Sequence, residues 1–225
     1  MSQAVSVEVR LPERGAAARA GFSSKKPMAE VSVILEDEGR LDIVVPVRVG
    51  RLLAEAEPPL PAEADDAFAY IHALEARVAM AQVTEMLGRR DHSTAELREK
   101  LRQYGYRPEE IEPTLARARE LRYLDDARFA SYFIEERKRR GWGRRKIELE
   151  LSRKGVPLDE IPGYPDRFFS DDEDAARARA LLARRRIPEA RASEKLIRFL
   201  MGKGFGYAQA ADAVRAHLAE MGEGL

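Results

Sequence analysis

The stretch LREKLRQYGYRPEEI, from Leu97 to Ile111, has two related copies further along the chain. The second copy is IELELSRKGVPLDEI, starting at Ile147, and the third is LIRFLMGKGFGYAQA, starting at Leu196. Each copy has two aliphatic residues four positions apart, a glycine four positions later, and an apolar residue six positions beyond the glycine. Because the copies start 50 and then 49 residues apart, the sequence predicts a repeated structural unit.

Each copy contains the signals of a helix and of its end. The aliphatic pair falls on one helix face, since residues four apart are neighbours there. Gly105, Gly155 and Gly204 supply the left-handed backbone residue that ends a helix without steric cost. The residue after each glycine is apolar and is expected to contact the leucine four positions before that glycine. This pattern is typical of a Schellman motif.

A longer helix is predicted before each copy and a third helix after it. The predicted preceding helices span about 66–90, 126–140 and 172–186. The predicted following helices span about 108–122 and 207–220, with only a weak helix near 157–162, where prolines interrupt the pattern. We therefore predict a mainly α fold of three tandem three-helix repeats. One repeat alone buries its apolar face poorly, so the repeats are expected to stack into an elongated, curved array.

A small β-containing region is predicted before the repeats. Apolar residues alternate with polar ones over 30–36 and 41–45, which indicates a hairpin that turns at Asp37 to Gly39. A further strand is predicted over 4–11, followed by a loop or mobile linker, ERGAAARAGFSSKKP. The expected domains are 1–64 for this extension, 65–122 for repeat 1, 123–170 for repeat 2 with a degenerate third helix, and 171–225 for repeat 3.

Composition excludes several classes of protein. The 39 basic and 39 acidic residues balance, so net charge predicts no partner. The absence of cysteine excludes disulfides, zinc fingers and thiol nucleophiles. No apolar run is long enough to span a membrane, and MSQAVSVEVRLPERG lacks the apolar core of a signal peptide. A cytoplasmic, monomeric protein without membrane contact is expected.

The candidate catalytic and metal-binding residues have simpler structural interpretations. In the sequence DHS, Ser93 followed by Glu96 predicts a capping box that opens a helix, so a catalytic role for the triplet is not favoured. The three histidines lie far apart and lack the i, i+3 or i, i+4 partners of a metal site. Asp125 and Asp126 suit the start of a helix. No catalytic residue, metal or cofactor is predicted, and the protein is not expected to be an enzyme.

The segment RKRRGWGRRK, Arg137 to Lys146, holds seven basic side chains, no acid and the only tryptophan. It joins the first two helices of repeat 2. Positive charge in the first turn of a helix is unfavourable, so the helix itself gains no stability from Arg144 to Lys146. Their presence there indicates binding to an anion. Packing of Trp142 in the corner is the alternative to stacking on a ligand. The candidate binding residues are Arg137, Lys138, Arg139, Arg140, Trp142, Arg144, Arg145, Lys146, Arg153 and Lys154.

The stretch YLDDARFASYFIEERKRRGWGRRKIELELSRKGV, Tyr123 to Val156, resembles the central motif of the RecX family of RecA regulators. HSTAELREKLRQYGY before it and KLIRFLMGKGFGYAQAADAV after it are similar to that family's flanking repeats, and the resemblance covers about 66–225. It implies a non-enzymatic helical protein in the groove of the RecA–DNA filament. There it would inhibit ATP hydrolysis, strand exchange and co-protease activity. The proline-rich VPLDEIPGYPD departs from the family pattern.

Two other functions remain open from the sequence. The predicted function has the RecA filament and single- and double-stranded DNA as partners, whereas the first alternative is a stand-alone nucleic-acid-binding protein that uses one helix–turn–helix-like repeat. It would need a basic recognition helix, whereas the cations here concentrate at a corner between helices. The other is a helical scaffold for a different partner.

Overall fold

A computed structural model describes residues 2–13 and 26–222. The chain forms two compact units, Met1–Asp125 and Asp126–Leu225. Most of the predicted linker ERGAAARAGFSSKKP lies outside the described residues. The predicted mainly α fold with three-helix repeats after a small β region is confirmed, with nine α-helices in the described part of the chain.

The first unit begins with a four-stranded antiparallel sheet in the order β3-β2-β1-β4. Its strands are β1 Gln3–Arg10, β2 Met28–Leu35, β3 Arg40–Pro46 and β4 Ala62–Glu63. The predicted hairpin is confirmed, because Val31 pairs with Ile43 and Val33 pairs with Leu41. Pro46 is the last residue of the edge strand β3, where its missing N–H costs no ladder hydrogen bond.

A helix that the sequence did not predict, α1 (Val47–Glu55), follows β3 directly. Its Gly50 is buried against the sheet, and a Cβ at this position would collide with the Cβ of Ala29. A glycine and two β-branched valines give this helix low intrinsic propensity, so its contact with the sheet must stabilise it. Local sequence patterns contain no signal for such a contact.

Repeat 1 consists of α2 (Ala64–Arg89), α3 (Thr94–Tyr104) and α4 (Pro108–Glu120). The predicted capping box is confirmed, since the Ser93 side chain accepts from the Glu96 N–H at the start of α3. The sheet, α1 and repeat 1 share a single hydrophobic core. Among its fully buried members are Val31, Val33, Leu53, Ile71, Leu97, Leu101 and Leu115. The N-terminal strands are therefore part of the first folded unit.

The second unit contains repeats 2 and 3. Repeat 2 has α5 (Asp126–Arg139) and α6 (Arg144–Arg153), and then only a 3-10 turn at Leu158–Glu160, which confirms the predicted degenerate third helix. Repeat 3 has α7 (Asp171–Ala183), α8 (Ala192–Lys203) and α9 (Tyr207–Gly222). Each repeat has its own buried cluster, and Phe168 and Phe169 complete the cluster of repeat 2.

The predicted Schellman motifs are confirmed in all three copies. Gly105, Gly155 and Gly204 have φ values of 94°, 65° and 100°. In each copy the N–H after the glycine donates to the carbonyl of the leucine that should contact it. These bonds are Tyr106 to Leu101 at 3.1 Å, Val156 to Leu151 at 3.0 Å, and Phe205 to Leu200 at 3.1 Å. The repeated sequence thus encodes a repeated helix end.

Two glycines of repeat 3 allow a matched test of this helix end. At Gly204, φ is +100° and a Cβ would lie 2.6 Å from the Lys146 backbone nitrogen. At Gly202, which lies within α8, a Cβ would meet nothing within 4 Å. We expect Gly204→Ala to lower the free energy of unfolding by about 2 kcal/mol or more. Gly202→Ala should raise it by about 0.5 kcal/mol, because alanine loses less backbone entropy.

Urea denaturation followed by Trp142 fluorescence measures both variants, since Trp142 is the only tryptophan and lies in the second unit. Equal effects of the two substitutions would contradict the assigned role of Gly204.

Candidate functional site

The basic segment Arg137–Lys146 runs from the last turn of α5, through a corner, into the first turn of α6. Gly141 has φ +75° and ends α5 with a fourth Schellman-type pattern. Its N–H donates to the Lys138 carbonyl at 2.9 Å, and the Trp142 N–H donates to the Arg137 carbonyl at 3.0 Å. The corner therefore has a fixed backbone rather than the geometry of a loose hinge.

Repeat 3 holds this corner from the other side. The Gly143 N–H donates to the Lys203 carbonyl at 2.8 Å, and the Arg145 N–H donates to the Gly204 carbonyl at 3.0 Å. A Cβ on Gly143 would lie only 2.5 Å from the Gly204 oxygen. Backbone approaches backbone here, so the start of α6 abuts the end of α8, and only glycine fits at the contact.

This contact corrects the interpretation of the second basic cluster. Helix carbonyl ends carry partial negative charge, and the end of α8 supplies it at the first turn of α6. The expectation that Arg144 to Lys146 lack a local stabilising partner is therefore wrong. The negative end of α8 offsets the unfavourable effect of basic charge at the start of α6, so part of the cluster serves the fold.

Three side chains of the segment pack into the corner. The Arg137 guanidinium lies 4.7 Å from the ring centroid of Phe133 and 4.9 Å from that of Trp142. The Lys146 ammonium lies 4.2 Å from the Trp142 centroid. Two cations thus already contact the tryptophan ring, which favours the packing interpretation of Trp142 over stacking on a ligand.

Ion pairs hold several more of the candidate cations. Lys138 is only 12% exposed and contacts the Phe168 carbonyl as well as Glu173 at 3.3 Å. The remaining pairs are Lys138 with Glu135, Arg137 and Arg140 with Glu136, Arg144 with Glu148, and Arg153 with Glu150. The hydrogen bond between Arg144 and Glu148 raises the pKa of the Arg144 guanidinium above its ordinary value. Lys154 lies 5.8 Å from the centroid of Phe133.

Arg139 and Arg145 differ from the other eight candidates. Both are exposed. The Arg139 side chain has only a 3.4 Å contact with the Glu135 carbonyl. Neither guanidinium has a carboxylate partner within residues 2–13 and 26–222. The structure therefore divides the predicted binding residues into a paired or packed group and two exposed cations that have no carboxylate partner in those ranges.

A surface cavity of about 650 Å³ lies beside one of these cations. Its lining is Arg144, Arg145, Glu148, Gly204, Gly206, Tyr207, Ala208 and Gln209. Tyr207 is 62% exposed and is the first residue of α9. Sequence reasoning missed Tyr207 and Gln209. The repeat placed Tyr207 at a helix start, but no pattern indicated that it lies beside α6 of the preceding repeat.

The first unit contains a buried polar cluster that sequence reasoning also missed. The expectation that His72 lacks metal-type partners is wrong, because Glu75 at i+3 and Glu110 bring their ligand atoms within 4.8 Å of each other and of His72. The Arg107 Nη2 atom is 2.6 Å from His72 Nδ1, 3.0 Å from Glu75 Oε2 and 2.5 Å from Glu110 Oε1.

The arginine therefore occupies the position that a metal ion bound by these three residues would take. Burial raises the pKa of Glu75, and Arg107 supplies the positive charge that such a buried carboxylate needs. A metal could bind only after this guanidinium moved away. The arrangement is best explained as an ion-pair cluster that joins α2 to the start of α4.

Within the described part of the chain, no helix combines the length and apolar character needed to cross a bilayer.

Comparison with known proteins gives consistent matches. The family model for the first three-helix domain of RecX matches residues 79–117, and that for the second matches residues 125–161. Two solved structures share the fold. A crystal structure of regulatory protein RecX has a TM-score of 0.55 and 18% identity, with 93% of this chain and 97% of that chain covered. RecX from Lactobacillus salivarius has a TM-score of 0.54 and 17% identity, with 63% and 96% covered.

Relatives of higher identity carry the assignment to a family. Regulatory protein RecX of Vibrio vulnificus is 33% identical over 130 residues, which covers 56% of this chain and 83% of the relative. Regulatory protein RecX of Halorhodospira halophila is 35% identical over 144 residues, which covers 61% and 84%. Since the matches extend over most of these relatives, the chain belongs to the RecX family.

Proposed function

We propose that this protein binds the RecA–DNA filament and inhibits the ATPase, strand-exchange and co-protease activities of the recombinase. It would thereby modulate DNA repair and the SOS response in the cytoplasm, without catalysing a reaction itself. Its relatives are named regulatory proteins, which supports the regulatory part of the proposal. The observation that carries the rest is a fixed basic corner from which Arg139 and Arg145 extend without carboxylate partners in the described residues.

The corner suits an anionic partner because it is already ordered. Four backbone hydrogen bonds fix Arg137–Lys146, two within the corner and two to the end of α8. Binding therefore orders little backbone, and the entropic cost falls mainly on the exposed side chains. The partner surface would be DNA phosphate or an acidic face of the recombinase, since both offer the oxygens that guanidinium groups bind.

A stand-alone DNA-binding protein is the second candidate function, and one structural feature disfavours it. Helix–turn–helix proteins insert the N-terminal residues of a recognition helix into the major groove. Here the N-terminal end of α6, the basic helix of repeat 2, is bonded to the Lys203 and Gly204 carbonyls. The helix end that would enter the groove is therefore already in contact with repeat 3. A helical scaffold for another partner would give no role to the exposed Arg139 and Arg145.

The first test measures RecA-dependent ATP hydrolysis on single-stranded DNA with increasing amounts of this protein. We expect inhibition at less than one protein per recombinase monomer. The double variant Arg139→Gln, Arg145→Gln should raise the half-inhibitory concentration about tenfold, equivalent to about 1.4 kcal/mol of binding free energy. Neither arginine forms an ion pair within the described residues, so folding should not change.

The matched control is Arg51→Gln, Arg77→Gln, which removes two exposed charges from the first unit. It should inhibit as strongly as the parent protein. Full inhibition by the Arg139, Arg145 variant would remove these residues from the proposed interface. Loss of inhibition on adding excess free DNA would favour a simple competitor for DNA.

A salt titration separates contact with phosphate from contact with protein. If Arg139 and Arg145 each bind one phosphate, log affinity against log salt concentration should have a slope of about −1.4 on a single strand and about −1.8 on a duplex. Fluorescence anisotropy of labelled oligonucleotides measures both slopes. A flat line would place the binding energy in protein–protein contacts.

A further inference from the structure

The cavity of about 650 Å³ beside Arg145 lies where α6 of repeat 2 meets the start of α9 of repeat 3. Its volume is within the range of about 300–1,000 Å³ that small-molecule sites occupy. Both repeats belong to the second unit, so both walls of the cavity are parts of one compact body. Its chemistry can therefore be derived from the side chains that line it.

The cavity carries one uncompensated positive charge. The Glu148 carboxylate accepts from Arg144 Nε at 2.7 Å and from the Tyr164 hydroxyl at 2.6 Å, so the acid and Arg144 neutralise each other. Arg145 has no such partner among the described residues. The first turn of α9 contains no acidic residue that would repel an anion.

The backbone of Arg145 is fixed at the edge of this cavity. Its N–H donates to the Gly204 carbonyl at 3.0 Å. Its Nη2 atom lies 3.7 Å from the position that a Cβ on Gly206 would take, so the guanidinium lies against the start of α9. Arg145 and Tyr207, the residue after Gly206, both line the cavity.

Tyr207 supplies an exposed aromatic ring at the same cavity. It is 62% exposed and has no ring, cation or hydrogen-bond partner within the residues that the structure describes. Beside it, the Gln209 side-chain oxygen accepts from the Gly206 N–H at 3.4 Å, which orders the entry to α9. An exposed tyrosine next to a cation offers a flat face on which an unpaired base can stack.

We propose that this cavity holds one nucleotide of single-stranded DNA, with a phosphodiester on Arg145 and the base against Tyr207. The inference rests on the proposed function and names the strand that repeats 2 and 3 would contact. A phosphodiester carries one negative charge, which matches the single uncompensated cation, whereas a nucleoside triphosphate carries several. A duplex base has both faces covered by its neighbours, so only an unpaired base can stack on the ring.

The test compares Tyr207→Ala with Tyr207→Phe in the full-length chain, using anisotropy of a fluorescein-labelled oligothymidine. Phe keeps the stacking face, so its affinity should stay within about twofold of the parent. Ala removes the face and should weaken binding by roughly 5- to 100-fold. On a duplex of similar length the two variants should bind equally. Equal binding of Ala and Phe variants to the single strand would overturn the proposal.

Arg145→Gln supplies the second measurement. Loss of one phosphate contact should make the single-strand salt slope shallower by about 0.7. Arg198→Gln is the matched control, because it removes an exposed charge from α8 outside the cavity lining and should leave the slope unchanged. Unchanged Trp142 fluorescence and circular dichroism establish that each variant is folded. A salt slope that Arg145→Gln leaves unchanged would remove the phosphate from this cavity.

Failure of this inference is distinguishable from failure of the proposed function. If the parent protein inhibits RecA-dependent ATP hydrolysis but the Ala and Phe variants bind the single strand equally, only the cavity assignment fails. If the Ala variant loses single-strand binding but the parent protein does not inhibit the recombinase, the cavity assignment stands and the proposed function fails.

Discussion

The second unit depends on one backbone contact, the approach of Gly143 to Gly204. The N–H group of Gly143 donates to the carbonyl of Lys203, the last residue of α8, and that of Arg145 donates to the carbonyl of Gly204, which follows it. No side chain fits between these two backbone segments. One helix start and one helix end thereby satisfy each other, although each would otherwise leave unpaired backbone groups. The same contact fixes the entry to α6 and the exit from α8, and so it fixes the backbone of the basic corner against the end of α8.

Because of this contact, the basic segment has two purposes. The cations that touch Trp142, Glu136, Glu148 or Glu173 stabilise the corner, and their removal would disturb the fold before it disturbed binding. Arg139 and Arg145 make no comparable contacts within the described residues, so their positive charge is available to a partner. The charge of the segment alone overstates the number of binding residues. Ten basic and only four acidic residues lie between Arg128 and Lys154. Most of the basic side chains nevertheless contact an acid or an aromatic ring.

The first unit shows a different way of joining elements. A four-stranded sheet and a helix of low propensity share a core with repeat 1, so the N-terminal region stabilises that repeat. Arg107 then joins α2 to α4 through two buried carboxylates and His72. Breaking such a buried pair leaves an uncompensated charge, which is far more costly than losing a surface pair. Repeat 1 is therefore stabilised by contacts that the repeated sequence motif does not encode.

The sequence by itself determined the local structure: the three glycine-terminated helices, the hairpin, the capping box at Ser93 and the shortened third helix of repeat 2. Each depends on residues within a few positions of one another, such as Leu101, Gly105 and Tyr106, so short-range patterns are sufficient. The sequence also identified the basic corner and, through resemblance, the family. Only the tertiary structure decided which cations are paired, that Tyr207 lies beside Arg145, and that α1 forms at all. Those outcomes depend on contacts between residues tens of positions apart. A carboxylate, the C-terminus of a helix or a glycine from a distant segment decides whether a given side chain is paired, packed or exposed.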